Sequence, residues 1–232
     1  VISGLDSKGG SQGDIGSQIN ERSLRIIGRS MEVADRAEAY FRFPSGPQNL
    51  LRYRELRAWA RGRGPGWENN DFQAYIRVGS DASNFYQYTT NSLTTTWEPE
   101  LHIDLERWRA LRAQIESRRL LGLPADSAAR VACGGDTLSI AYVLCDGPYL
   151  AYIADPAVSP PNLAQVQEIA AGIRRVGNID PTPDAELWVD DIRLVEPVSR
   201  VGSAMAVDAR LIASDVGELS LGFVRQDGYF QQ

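Results

Sequence analysis

Histidine and lysine are almost missing from this chain: among its 232 residues His102 is the one histidine and Lys8 the one lysine. A single imidazole leaves no histidine pair for a metal cluster, and His102 alternates with Leu101 and Ile103 in a strand-like run, the setting of an ordinary sheet residue rather than of a base. The G-x-S-x-G, H-E-x-x-H, Walker and dinucleotide-glycine patterns are absent too, which removes the enzyme classes that depend on them. No run of about 18 apolar residues occurs, so no helix long enough to cross a membrane is encoded. The opening "VISGLDSKGG" lacks the charged-then-apolar layout of a secretory signal, so a mature chain or an internal fragment is expected. Basic charge is scarce overall: a net charge of -6 and a pI near 4.9 argue against a nucleic-acid partner, because neutralising phosphates needs a basic footprint. Only two cysteines occur, Cys133 and Cys145, in no C-x-x-C context, which argues against zinc. They either form one disulfide in an oxidising compartment or remain two buried thiols.

What is present is the composition of a folded protein, 43% hydrophobic and 23% charged. Residues 1–19, rich in Gly, Ser and Asp, read as a linker or extended arm. From residue 20 to 197 short runs alternate apolar with polar between turn residues, the pattern of antiparallel strands. In "AEAYFRF" Ala39, Phe41 and Phe43 oppose Tyr40 and Arg42; in "RELRAWARG" Leu56, Ala58 and Ala60 oppose Arg57, Trp59 and Arg61. In "DFQAYIRVG" Phe72, Ala74, Ile76 and Val78 oppose Tyr75 and Arg77. Further strands are expected in "NFYQYTT", "ELHIDL", a hairpin around "DGP", "VQEIAAGIRRV" and "ELWVDDIRLVEP". One helix interrupts them, 106–121, with Asp104 as N-cap, Trp108, Leu111, Ile115 and Leu120 at roughly helical spacing, and Gly122 and Pro124 ending it. Eight or nine strands of this kind predict an all-β fold, an antiparallel jelly-roll β-sandwich with one helix. Residues 198–232 read as a separate β-hairpin turning at "SDVG"; its alternation also suits strands of a membrane barrel.

Two groups of residues are candidates for function. Tyr40, Arg42, Arg57, Trp59, Tyr75 and Arg77 repeat aromatic with arginine on the polar side of three strands, and rigid rings beside fixed donors suit a protein interface or sugar stacking. Burial of the same face under loops or the helix, as a second small core, is the other reading. Asp190 and Asp191 are adjacent in the last strand, so their side chains leave on opposite faces unless a bulge intervenes. That makes them a poor facing pair for glycoside chemistry, and leaves them as acids at the sheet edge beside arginines or as ligands of a structural Ca²⁺. No other cofactor is expected.

Taken in order, "NERSLRI", "AEAYFRF", "YRELRAWARG", "DFQAYIRVGSDASNFYQYTT", "WEPELHIDLERW", "NLAQVQEIAAGIRR" and "AELWVDDIRL" resemble the SprA/Sov family of giant outer-membrane proteins, the translocon of the type IX secretion system, also described as gliding-motility or cell-surface proteins. The resemblance runs through roughly residues 20 to 225. It implies that this chain is an internal piece of a much longer protein, a jelly-roll insert leading into barrel strands of a protein-conducting outer-membrane pore. It also implies the rest of the translocon, accessory outer-membrane proteins and secreted cargo as partners, and a place at the cell surface or the periplasmic face. The expected function is therefore a non-catalytic structural or interaction domain. A carbohydrate-binding jelly roll at the cell surface is the alternative, and a lone glycan hydrolase ranks third.

Overall fold

The computed structural model describes residues 23–90, 93–133, 141–154, 161–178, 184–198, 204–213 and 217–226. The arm expected over residues 1–19 lies outside the described residues. The chain divides into two units, Val1–Pro197 and Val198–Gln232.

Within the first unit the period-two runs become β1 (Leu24–Gly28), β2 (Arg36–Arg42), β3 (Tyr53–Arg63), β4 (Phe72–Asp81), β5 (Asn84–Thr90), β6 (Leu101–Asp104), β7 (Tyr142–Asp146), β8 (Tyr149–Ile153), β9 (Glu168–Arg175) and β10 (Ala185–Pro197). They form two antiparallel sheets, a four-stranded one in the order β1-β10-β3-β6 and a six-stranded one in the order β2-β9-β4-β5-β8-β7. The all-β, antiparallel reading therefore holds. Three helices are present among the described residues where one was expected: α1 (Pro65–Glu68), α2 (Leu105–Leu120) and α3 (Ser127–Ala132). Helices α1 and α3 span about one or two turns, too few for a period of 3.6 to register against the strand pattern.

The alternation decides where the core lies. Ala60 of β3 and Leu187 and Val189 of β10 pack with Ile26 of β1 against Phe72 and Ala74 of β4 and Ala171 and Ile173 of β9. Further along, Leu56 and Ala58 meet Ile76, Val78 and Tyr86. The two sheets thus bury one face each against the other, and everything of opposite parity turns outward.

Four strands leave part of a six-stranded sheet uncovered, and α2 fills that part. Its first turn is fixed by Asp104, whose carboxylate accepts the Glu106 N–H at 2.8 Å, as an N-cap should. Leu105, Trp108, Leu111 and Ile115 are its buried residues. Trp108, fully buried, lies 5.8 Å from the Tyr86 ring and 6.1 Å from the Tyr149 ring, and its Nε1–H donates to the Gln87 carbonyl at 3.1 Å. Leu120, expected on this stripe, is instead 77% exposed. Five residues beyond Ile115 it is rotated about 140° around the helix, away from the sheet.

Cys133, which caps α3, is bonded to Cys145 of β7, so the disulfide reading is the one realised. In the second unit β11 (Ala204–Ala213) and β12 (Gly217–Gln226) form the expected hairpin, in register from Ala204 opposite Gln226 to Ala213 opposite Gly217. Val207 and Phe223 face each other across it, both about half exposed.

The disulfide closes a twelve-residue segment, for which loop entropy gives roughly 3 kcal/mol. Cys133→Ser is expected to lower the unfolding free energy of the first unit by about 2–3 kcal/mol in urea titrations, and a reducing agent is expected to do the same to the unmodified chain and nothing to the variant.

Candidate functional site

Because Leu187 and Val189 point inward, Glu186, Trp188 and Asp190 of β10 must point out. On β3 the partners across the ladder are Arg63 for Glu186, Arg61 for Trp188 and Trp59 for Asp190, while on β1 Arg25 lies opposite Trp188. This register builds a ladder of alternating cation and ring. The Arg25 guanidinium lies 5.4 Å from the Trp188 ring, the Arg61 guanidinium 5.1 Å from the same ring, and Arg61 in turn 4.7 Å from the Trp97 ring in the loop before β6. Contacts of this kind contribute about 0.5–1 kcal/mol each at exposed sites. Glu186 ties one end together, accepting from Arg25 at 2.5 Å and from Trp188 Nε1 at 3.1 Å. Trp59, Trp97 and Trp188 are all half-buried. Three of the five tryptophans are therefore partly open to solvent on one outer face, and two of them, Trp97 and Trp188, lie against arginines.

At the α2 end of the same face the ladder gives way to a mesh of ions. Arg57 binds Glu55 at 2.8 Å, Arg193 binds both Glu100 and Asp191 at 2.5 Å, and His102 lies 3.5 Å from Glu55. His102 is half exposed and among carboxylates, as its place in an alternating strand implied.

The six aromatic and arginine residues singled out from sequence do not share a face. Arg57 and Trp59 belong to β3 in the four-stranded sheet, whereas Tyr40 and Arg42 of β2 and Tyr75 and Arg77 of β4 belong to the six-stranded sheet. Since the two sheets pack inner face to inner face, their outward residues point in opposite directions. Alternation tells which side of its own strand a residue takes, and nothing about which sheet the strand joins. On the larger sheet Tyr75 and Arg77 are buried. Tyr75 donates to Glu38 at 2.8 Å, and Arg77 donates to Glu38 at 2.9 Å and to Glu168 at 3.1 Å. Gly172 makes this possible, because a Cβ there would come within 2.5 Å of the Tyr75 hydroxyl. Burial, and then the Glu38 carboxylate, push the Tyr75 phenol above its ordinary value. This group is a fixed structural network, and Tyr40 and Arg42 stand apart from it, exposed on the edge strand.

Asp190 and Asp191 sit at a β-bulge, where the β10–β3 register shifts and Asp191 takes φ of +44°. Asp190 accepts the Asp191 N–H at 2.9 Å, and Ser23 approaches it at 3.4 Å; Asp191 pairs with Arg193. Among the described residues no group of three or more His, Cys, Asp or Glu is placed to hold a metal ion, and the calcium reading has no third ligand of that kind to build on. Of the ladder, Arg61 was visible as an outward residue of β3; Trp97 and Arg25 were not recognisable, because neither the loop path nor the β1–β10 pairing is written in local pattern.

Arg25, bonded to Glu186, and then Trp188 and the nearby charge of Arg63 hold the Glu186 carboxyl below the usual glutamate range, against the opposing effect of burial. A depressed folded pKa stabilises above the unfolded value of about 4.3 and is lost as the pH falls through the lower folded value. Glu186→Gln is expected to be less stable than the unmodified chain at neutral pH and to lose less on acidification from about pH 5 to pH 3, followed by tryptophan fluorescence in urea. Equal losses in both proteins would place the acid sensitivity elsewhere.

No protein-family model matches the chain, and a search of curated proteins returns no match to it.

Proposed function

We propose that the first unit is a non-catalytic jelly-roll interaction module of an outer-membrane protein-secretion translocon of the SprA/Sov kind, with the Arg25–Trp188–Arg61–Trp97 ladder as its contact face. The observation that carries the interaction reading is the placement of three half-buried tryptophans on one outward face, where their exposure serves no core. Tryptophan and arginine are the residues in which binding energy concentrates at interfaces, and here both are held rigid before any partner arrives, which lowers the entropy lost on association. The translocon part of the proposal rests on the ordered resemblance of seven segments. A disulfide is in keeping with a compartment outside the cytosol, and the alternating hairpin of the second unit is compatible with barrel strands. The partners are then the rest of the translocon, accessory outer-membrane proteins and, during export, cargo.

A second reading, a carbohydrate-binding module, is favoured by the same half-buried indole rings on one outward face, since sugar rings also stack on rigid aromatic area. The two readings separate by experiment. A photo-crosslinking residue at position 188, in the whole protein in its own cells, is expected to capture outer-membrane proteins that the same residue at Leu120 does not, and Arg61→Ala is expected to reduce the yield several-fold. Identical products from both positions, or recovery of the protein in the cytosolic fraction, would contradict the proposal. Calorimetric binding of an oligosaccharide that disappears in Trp188→Ala would favour the second reading.

A further inference from the structure

We propose that β2 is a self-complementary edge through which two copies of this chain join their six-stranded sheets into one twelve-stranded sheet. This surface is separate from the tryptophan ladder and does not depend on it.

The argument starts from where β2 spends its backbone. Phe43 N–H donates to Gln167 O at 2.9 Å and Arg175 N–H donates to Asp35 O at 3.0 Å, both in the register that sets Ala37 opposite Ile173 and Phe41 opposite Ile169. Bonding alternates residue by residue along an antiparallel ladder. The odd-numbered residues therefore bond to β9, while Glu38, Tyr40 and Arg42 turn their N–H and C=O groups outward. Beyond β2 the sheet has no further strand among the described residues. Such edges are commonly blunted by charge, proline or a bulge; β2 has no proline and no bulge, and beside the charges of Arg36, Glu38 and Arg42 it exposes Tyr40 by 67% and Phe41 by 41%. Behind it the two sheets part to leave a cleft of about 360 Å³, lined by Leu24, Ala39, Phe41, Ile169, Val189 and Ile192 among others.

The occupant follows from the register. A two-fold axis at Tyr40 sets Tyr40 against itself, Glu38 against Arg42 of the second copy, and Ala39 against Phe41 of the second copy. The outward-turned residues then meet one another as hydrogen-bonded pairs, Arg42 of the second copy adds a cation to the Glu38 carboxylate that already accepts from Tyr75 and Arg77, and the large ring lies beside the small side chain. Phe41 of the second copy projects from the inner face beside Ala39, at the cleft. Neighbouring registers are poorer. An axis at Ala39 sets Arg36 against Arg42 of the second copy, which repels. Pro44, which has no N–H to give, falls opposite Arg36 at the outer ends of the Tyr40 register, and an axis at Phe41 moves it inward to Glu38, which shortens the bonded ladder. A contact in which the same patch serves both copies is the usual geometry of a closed homodimer.

The test is sedimentation velocity of the 232-residue chain over a concentration series, with Tyr40→Pro and Arg42→Glu as variants. Tyr40→Pro removes an N–H that β9 does not use, and proline is tolerated on an edge; Arg42→Glu sets two carboxylates against each other. Unmodified chain is expected to dimerise, and each variant to weaken the dimer by about tenfold or more while keeping the circular dichroism and melting of the parent. Amide exchange supplies the second readout, with protection at Tyr40 and Arg42 rising with concentration while that at Ala39 stays constant. A monomer at every concentration, a dimer untouched by both variants, or concentration-independent protection at Tyr40 would each overturn the proposal, the last because another strand would then cover the edge.

Discussion

Six strands face four across the core of residues 23–197, and the larger sheet has more apolar surface than the smaller one can hide. The physical consequence is that β5, β8 and β7 need another cover, and α2 supplies it with Leu105, Trp108, Leu111 and Ile115. Trp108 is the centre of that solution: it is stacked near Tyr86, edged by Tyr149 and bonded to the Gln87 carbonyl, so its indole N–H is satisfied where burial would otherwise penalise it. Deleting a ring of this size from a core costs about 3–5 kcal/mol, comparable to much of the net stability of an average domain.

The same arrangement separates the surfaces. Because both inner faces are consumed by the core, aromatic and charged residues are left with two outward faces that point apart. On the smaller sheet they remain partly open and form the tryptophan–arginine ladder. On the larger sheet the buried Tyr75, Arg77 and Glu168 close on Glu38 of the edge strand, and Tyr40 and Phe41 of that strand stay exposed. Similar residue types thus stay partly open to solvent on one side and are buried on the other.

How far this was legible from sequence can be traced through particular residues. The inward sets of β3 and β4, the N-cap at Asp104 and the hairpin of the second unit all follow from local periodicity and capping chemistry, which depend only on near neighbours. Arg57 and Trp59 were grouped wrongly with Tyr40, Arg42, Tyr75 and Arg77 because sheet membership is a long-range property; β3 joins β10 and β6, while β4 joins β5 and β9. Asp190 and Asp191 were read as a pair split across a strand unless a bulge intervened, and the bulge does intervene, with Arg193 and the backbone taking up their charge. Helix α1 escaped because Gly64 and Pro65 read equally well as a turn. Trp97 escaped because its role depends on how a loop returns to Arg61.

The claim on which all of this rests is that α2 is the cover for the uncovered half of the larger sheet. Native-state hydrogen exchange on Trp108→Ala tests it most directly. The account predicts that amides of α2, β5, β7 and β8 lose protection together, by about 3–5 kcal/mol, while those of β10 and its partners β1 and β3 keep most of theirs. Loss that begins in β1 and β10, or that leaves β7 and β8 as protected as in the parent, would contradict it.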